Sequence, residues 1–428
     1  MLSWFKWLYP GLKVKRWLFL AFCGLLLLIA GLSVLDDAAL LGVLLKAVVK
    51  VTYSYWGSPF SWWTGLLLMS LGVIFVVLGF KNVINSLFNT LLPENEDRLV
   101  EIIYQRRSLK KGPKVVAIGG GTGLPNMLRG LKVYTSNITA IVTVADDGGS
   151  SGRLRGEFGI LAPGDIRNCL VALADTETLL ERVLNYRFDQ GEGLAGHSMG
   201  NLLLAALIDL TGSFEQSIRE LSRVLAIRGK VLPATLDYAV LSAEFADGSI
   251  VEGESNIPKV GKKIKRVFLS PDSCSALPQA VEAIREAEVV VLGPGSLYTS
   301  IIPNLLVKDI ADALRETKAP IIYVCNIMTQ PGETEACTAA GHLRAIIEHL
   351  GEGIVDYIVV NTGSIPNSLL KKYSVEGSRP VLVDKRTIEK MGVKVIGDKL
   401  VNSVDFIRHD QDRLARLIIK KTFWKRKI

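Results

Sequence analysis

The first 112 residues and the rest of the chain follow different hydrophobic patterns. Trp17 to Leu35 and Trp62 to Phe80 are each 19 residues long without a charged side chain. At about 1.5 Å per residue, either run is long enough as an α-helix to cross the roughly 30 Å hydrocarbon layer of a bilayer. Beyond residue 112, short runs rich in Val and Ile alternate with stretches of helical period. The strands predicted are "KVVAIGG" from Lys114, "ITAIVTVA" from Ile138, "EVVVLGPG" from Glu288, "IIYVCN" from Ile321 and "YIVVNTG" from Tyr357. This alternation predicts an α/β domain with a mostly parallel sheet flanked by helices. Between residues 231 and 270, "DYAVLSAEFADGSIVEGESNI" and "IKRVFLS" predict a small antiparallel insertion turning at Asp247-Gly248. The organisation expected is a two-helix hairpin over residues 1–90, a linker over 91–112, the α/β domain over 113–408 and a basic tail over 409–428.

Charge refines the first part. Lys6, Lys13, Lys15 and Arg16 flank the first run, and Lys81 and Arg98 follow the second. Basic flanks stay on the cytoplasmic side, so a multi-pass anchor in the cell membrane is expected, with both termini and the main domain cytoplasmic. The connecting stretch, with Lys46 and Lys50, fits an interfacial helix. A cleaved signal peptide is the alternative for the first run, but no small-residue cleavage site precedes Asp36 and Asp37. Residues 1–112 carry 12 basic and 6 acidic side chains, most of the net +8, so the α/β domain is nearly neutral. It shows no basic patch interleaved with aromatics, which argues against nucleic acid as a partner. The tail "KKTFWKRKI" suits anionic headgroups, or is a frayed terminus. The five cysteines have no C-x-x-C spacing and are expected to be reduced.

The candidate chemistry lies at the carboxyl ends of the predicted strands, where open α/β sheets bind ligands. Gly119, Gly120, Gly121, Thr122 and Gly123 lead into a helical pattern near Leu124, offering bare N–H groups to a phosphate. A tight turn that needs glycine only for its geometry is the alternative. No Lys-Ser/Thr follows, and position 124 is Leu, so neither common nucleotide motif is present. A second loop, with Gly293, Gly295, Ser296, Tyr298 and Thr299, adds hydroxyl donors, and two such loops suggest a diphosphate. Tyr298 either stacks on a base or packs as an ordinary half-buried aromatic. Asn361-Thr362-Gly363 is a third polar strand end.

Asp146 and Asp147 follow the second strand, where a ribose hydroxyl or a divalent cation is commonly held; an aspartate-capped turn is the alternative. Gly149, Ser150, Ser151 and Arg153 extend that loop with donors. In "PGDIRN", Asp165 is placed to cap a helix, with Arg167 and Asn168 toward the ligand. His197, in "AGHSMGN", and Asn201 are candidates for acid-base or phosphate contact, with a structural histidine as the alternative. No residue at metal spacing accompanies them, so no metal site is predicted.

Six ordered motifs, "AIGGGTGLPNMLRGLK", "VTVADDGGSSGRLR", "PGDIRNCL", "GHSMGNLLL", "GPGSLYTSIIPNLLV" and "NIMTQPGET", together resemble the bacterial gluconeogenesis factor family, over roughly residues 113 to 400. That family is similar in fold to the 2-phospho-L-lactate transferases. The resemblance implies a Rossmann-like core, binding of a UDP-sugar such as UDP-N-acetylglucosamine or UDP-glucose, and a link to cell shape and envelope synthesis during gluconeogenic growth. It implies no established reaction and no required cofactor. Envelope-synthesis enzymes are the implied partners, and a homo-oligomer is left open. The alternative is a metal-dependent transferase using Mg2+. That branch typically places Asn-Thr-Gly-Asp-Asp after the second strand, where this chain has Val144-Ala145-Asp146-Asp147-Gly148-Gly149.

Overall fold

The computed structural model describes residues 14–35, 62–91, 107–175, 178–402 and 406–425. It divides into two compact units, residues 1–105 and 106–428. In the first, helices α1 (Val14–Leu35) and α2 (Trp62–Leu91) pack on each other, and each is long and apolar enough to cross a membrane. Glycine sets how closely they approach. A Cβ on Gly24 would lie 2.8 Å from the Gly72 carbonyl oxygen, and one on Gly31 would lie 2.8 Å from that of Gly65. Small residues let two backbones touch where lipid supplies no hydrophobic drive. Helix α2 runs on past Phe80 to Leu91. Lys81 ends the apolar run, but nothing breaks the helix before Pro93. The expected interfacial helix and most of the linker lie outside the described residues.

In the second unit, every strand named from the sequence is present. β1 (Val115–Gly119), β2 (Ile138–Val142), β3 (Lys230–Pro233), β7 (Val289–Leu292), β8 (Ile321–Val324), β9 (Tyr357–Asn361) and β10 (Lys394–Asp398) form one sheet in the order β10-β9-β8-β7-β1-β2-β3. All six pairings are parallel. β4 (Val240–Phe245), β5 (Ile250–Glu252) and β6 (Ile264–Ser270) make the antiparallel insertion, with Asp247-Gly248 between its first two strands. Two edges differ from expectation. Lys230–Pro233, partly assigned to the insertion, is the sheet's edge strand beside β2, and β10 carries too little apolar sequence to announce itself.

The central strands are buried on both faces and alternate with period two. Val116, Ile118, Val290 and Leu292 face one core, while Val115, Ala117, Val289 and Val291 face the other. On the second face lie α3 (Gly123–Leu131), α5 (Gly164–Leu173), α6 (Met199–Thr211) and α7 (Gln411–Lys425), of which α3, α5 and α7 supply much of the core, and α4 (Gly149–Phe158) touches α6. The basic tail is therefore not an appendage. Leu414, Ala415, Ile418 and Ile419 of α7 are buried against the domain, each large side chain contributing about 1.5–3 kcal/mol.

The α3–α7 contact depends on Gly130, where a Cβ would fall 2.1 Å from the Gln411 carbonyl oxygen. Replacing a helical glycine by alanine ordinarily gains roughly 0.5–1 kcal/mol. Here the backbone clash outweighs that gain, and Gly130→Ala is expected to lose about 1–3 kcal/mol in denaturant unfolding. Gly156, in α4 with nothing within 4 Å of its Cβ position, gives the opposite sign: Gly156→Ala should stabilise by a few tenths to about 1 kcal/mol.

Candidate functional site

The chain builds β1, β2 and β3 toward one edge, then returns to place β7 on the other side of β1. The strand order therefore reverses between β1 and β7, and the crevice beyond their carboxyl ends is where such sheets bind ligands. Both glycine-rich loops sit there. The Gly293 N–H donates to the Ile118 carbonyl at 2.8 Å, and a Cβ on Gly123 would meet the Pro294 oxygen at 2.6 Å. Gly121, at φ +62, takes a left-handed conformation that favours glycine.

On one side of the Gly120-Gly121 bend lies a cleft of about 320 Å³. Of the residues expected from sequence it gathers Thr122, Gly123, Gly295 and Ser296. Its other walls are Asn126, Asn326 to Gln330, Tyr373, Ser378 and Phe406 to His409. Gln330 Nε2 donates to Ser296 Oγ at 2.7 Å and Asn126 Nδ2 to the His409 carbonyl at 2.6 Å, so the walls are cross-braced. Tyr373 accepts from the Ile407 N–H at 3.1 Å. Arg408 is the only Lys or Arg among the described residues of the lining; it lies 5.2 Å from the Phe406 ring centroid. Burial pushes the His409 imidazole down to about 4, so it is neutral at physiological pH. A second cavity of about 230 Å³, at the ends of β8 and β9, shares Asn326 and Ile327 with the first. Asn361, Thr362 and Gly363 line it, although Asn361 Oδ1 already accepts from the Gly363 and Leu400 N–H groups.

On the other side of the bend is an acidic centre. Asp165 does not cap its helix: Pro163 holds the N-cap of α5, and Asp165 Oδ2 accepts from the Gly121 N–H at 2.6 Å. The physical reason is tertiary, since β1's loop delivers an unsatisfied donor into reach of the first turn. Asp146 Oδ1 accepts from the Gly148 N–H at 2.9 Å, and Asp147 Oδ1 from that of Ser255 at 2.8 Å, fastening the insertion to the β2 loop. That contact brings in Glu254. Burial, then the charges of Asp146 and Asp165, push its carboxyl up to about 8. Burial likewise raises Asp165 to about 6, raises Asp146, and lifts Glu333 to about 7. Thr299 Oγ1 donates to Glu333 Oε1 at 3.2 Å, while Glu333 Oε2 is buried with no hydrogen-bond partner. Among the described residues no three His, Cys, Asp or Glu side chains converge as a metal-ligand set.

Of the remaining expected residues, Ser150, His197, Asn201 and Arg167 form a buried chain of hydrogen bonds. Ser150, Ser151 and Arg153 lie not in a loop but in α4, which begins at Gly149. Ser150 Oγ is 2.9 Å from His197 Nδ1 and accepts from Asn201 Nδ2 at 3.1 Å. Asn201 Oδ1 accepts from Arg167 Nε at 3.2 Å, and Arg167 also reaches Asn185. Burial, then Arg153, lowers the His197 pKa, so it is a neutral link in this chain. Arg153 donates to the Ala195 carbonyl at 2.7 Å, and Asn168 is half-buried on α5. Tyr298 packs edge-on to His349, 6.4 Å between centroids, against the core. Sequence reasoning missed Glu254, Glu333, Gln330, Tyr373 and Arg408. Glu333 and Gln330 stand in "NIMTQPGET" and had a signal, whereas Glu254, Tyr373 and Arg408 sit in stretches with none.

A doubly wound parallel sheet with a polar crevice at its switch point defines a Rossmann-like α/β domain. The family model of 2-phospho-L-lactate transferase CofD matches residues 115–401. A gluconeogenesis factor of Bacillus subtilis (strain 168) is 52% identical over 72% of this chain and 97% of its own length. A relative from Nostoc sp. is 47% identical over 98% of this chain and 92% of its own, so relatives occur in two lengths. A crystal structure of a Bacillus halodurans protein, 52% identical, superposes with a TM-score of 0.71 over 72% of this chain and 99% of that one. The chain belongs to the gluconeogenesis factor family, within the 2-phospho-L-lactate transferase superfamily.

The acidic centre makes stability depend on pH. Glu254 has a higher pKa folded (about 8) than its ordinary 4.5, so the folded state binds its proton more tightly. That contribution is fully present below the unfolded pKa and is lost as pH rises toward the folded one. Thermal melts from pH 5 to about 8 should therefore show a falling midpoint. Glu254→Gln should flatten that fall and melt higher than wild type at the upper end.

Proposed function

We propose that this chain is a membrane-anchored UDP-sugar-binding regulator whose large domain faces the cytoplasm. The observation that carries the reading is the cleft between the two glycine loops, where Arg408 is the single cation and Thr122 and Ser296 supply hydroxyls. A guanidinium forks onto phosphate oxygens in a bidentate way, and the start of α3 adds N–H groups aimed at the same space. Two neighbouring cavities that share Asn326 and Ile327 as a wall suit a ligand in two parts, a nucleotide and a sugar. The relatives' designation as gluconeogenesis factors supports a role in gluconeogenic growth; regulation of cell shape and envelope synthesis, with envelope-synthesis enzymes as partners, is part of the same proposal. Helices α1 and α2, with Lys15, Arg16 and Lys81 at one side, support the anchor and its orientation.

The match to a transferase family model favours a second reading, metal-dependent transfer from a nucleotide diphosphate. The acids do not fit Mg2+ as they are arranged. Asp146, Asp147 and Asp165 are each turned to a backbone N–H, and among the described residues no three carboxylates are grouped so as to hold a metal ion.

Titration calorimetry with UDP-N-acetylglucosamine and UDP-glucose should show binding that EDTA leaves unchanged. Arg408→Ala is expected to weaken it by about 1.5–3 kcal/mol, roughly ten- to a hundred-fold, because a hydrogen bond to a charged group is lost. UMP or UDP accumulating over many turnovers would replace the regulator with the transferase. For the anchor, the chain should stay with membranes in alkaline carbonate, and protease added from outside intact cells should leave the domain whole.

A further inference from the structure

The strand-start edge of the domain, opposite the cleft, carries cations that the ligand site does not use. The chain enters the domain there. A helical turn at residues 107–110 is stapled to the loop before β2: the Leu109 carbonyl accepts from the Ser136 N–H at 3.0 Å, and Asn137 Nδ2 donates to the Lys110 and Gly112 carbonyls. Arg107, Lys110 and Lys111 are exposed on this turn, and none is in an ion pair among the described residues. Tyr134 in the same loop is a near neighbour of Arg416 of α7, which places that helix's outward stripe, Arg416 and Lys420, beside the entry turn. Lys394 marks the start of β10 at the same edge. Val133, 60% exposed, is an apolar side chain among them. The acids at this edge are already engaged: Asp356 has one carboxylate oxygen taken up by the Ile321 N–H, Glu288 accepts from the Lys114 N–H at 2.9 Å, and Glu286 pairs with Lys114 Nζ at 2.8 Å.

Opposite charge is close at hand under the membrane-anchored reading, on which this inference rests. Residues 92–106, 15 in number, join α2 to the entry turn, so the edge stays within about 50 Å of the bilayer even with that segment fully extended. We infer that this basic edge docks on anionic phospholipid headgroups and holds the domain with its cleft turned to the cytoplasm. Tethering raises the effective concentration of the surface, so weak attractions from several cations add up. The strands, about 15 Å long, keep the cleft clear of the headgroups. The partner is the lipid surface itself rather than a protein.

The full chain in nanodiscs of phosphatidylcholine alone, or of phosphatidylcholine and phosphatidylglycerol at two to one, tests this by amide hydrogen exchange. Exchange over 107–112 and 416–425 should slow several-fold only with phosphatidylglycerol, with 326–330 unchanged. High salt should reverse the slowing, since exposed charges are screened beyond about 10 Å or less. The variant Lys110→Glu/Lys111→Glu/Lys420→Glu should lose it while melting as wild type does. Equal exchange in the two lipids overturns docking but leaves the anchor standing, and slowing by added RNA but not by phosphatidylglycerol also overturns it. Failure of the chain to insert overturns docking and anchor together.

Discussion

The backbone-to-backbone contact between the β1 and β7 loops is the constraint on which the rest of the site depends. Gly293 donates to Ile118, Asn304 Nδ2 reaches the Gly119 carbonyl at 3.2 Å, and Gly123 lies against Pro294 with no room for a side chain. A sheet that reverses its strand order must leave a gap at the reversal, and here two short loops bound it at both ends. Their glycines act first as spacers. Because the loops touch, α3 begins at the crevice and its N–H groups point into it, and Ser296 is carried within reach of Gln330.

The bend at Gly120 and Gly121 separates two environments with opposite electrostatics. The cleft holds a lone exposed cation, Arg408, among amides, hydroxyls and aromatic rings, which is an environment for an anion. Behind the bend, four carboxyls crowd where water is scarce, and burial raises all of them. Protonation relieves the crowding, as expected when like charges share a desolvated space. The Gly121 N–H, bonded to Asp165, connects the two sides through a single peptide.

Helix α7 joins the two ends of the domain. It starts directly after His409, a cleft residue, and runs to the basic strand-start edge, glued along its length to α3 and the second core. The cleft residues Arg408 and His409 lie on a two-residue ribbon, β12 (Arg408–His409), paired with β11 (Val401–Asn402). So short a ribbon has little stability alone. Its position follows from α7 on one side and from the Asn126 bond to the His409 carbonyl on the other.

Much of this was legible in the sequence, for a local reason. Five parallel strands, the antiparallel insertion and the two apolar helices follow from periodicity, because burial on one or two faces repeats at fixed spacing along a chain. The glycine loops and the acids of "VADDGG" and "PGDIRN" could be marked because strand ends in such sheets collect chemistry. What no local pattern contains is adjacency. That β7 lies beside β1, that Asp165 serves Gly121 rather than its own helix, and that Glu254 from the insertion joins the acids are all contacts between distant segments. The same holds for Arg408, which stands just before α7 and reaches the cleft as that helix packs on α3, and for Tyr373, which meets the Ile407 N–H there; both stand in unremarkable sequence. Periodicity is a property of neighbours along the chain, whereas a binding site is a property of neighbours in space, and only the packing of the two cores decided which residues those were.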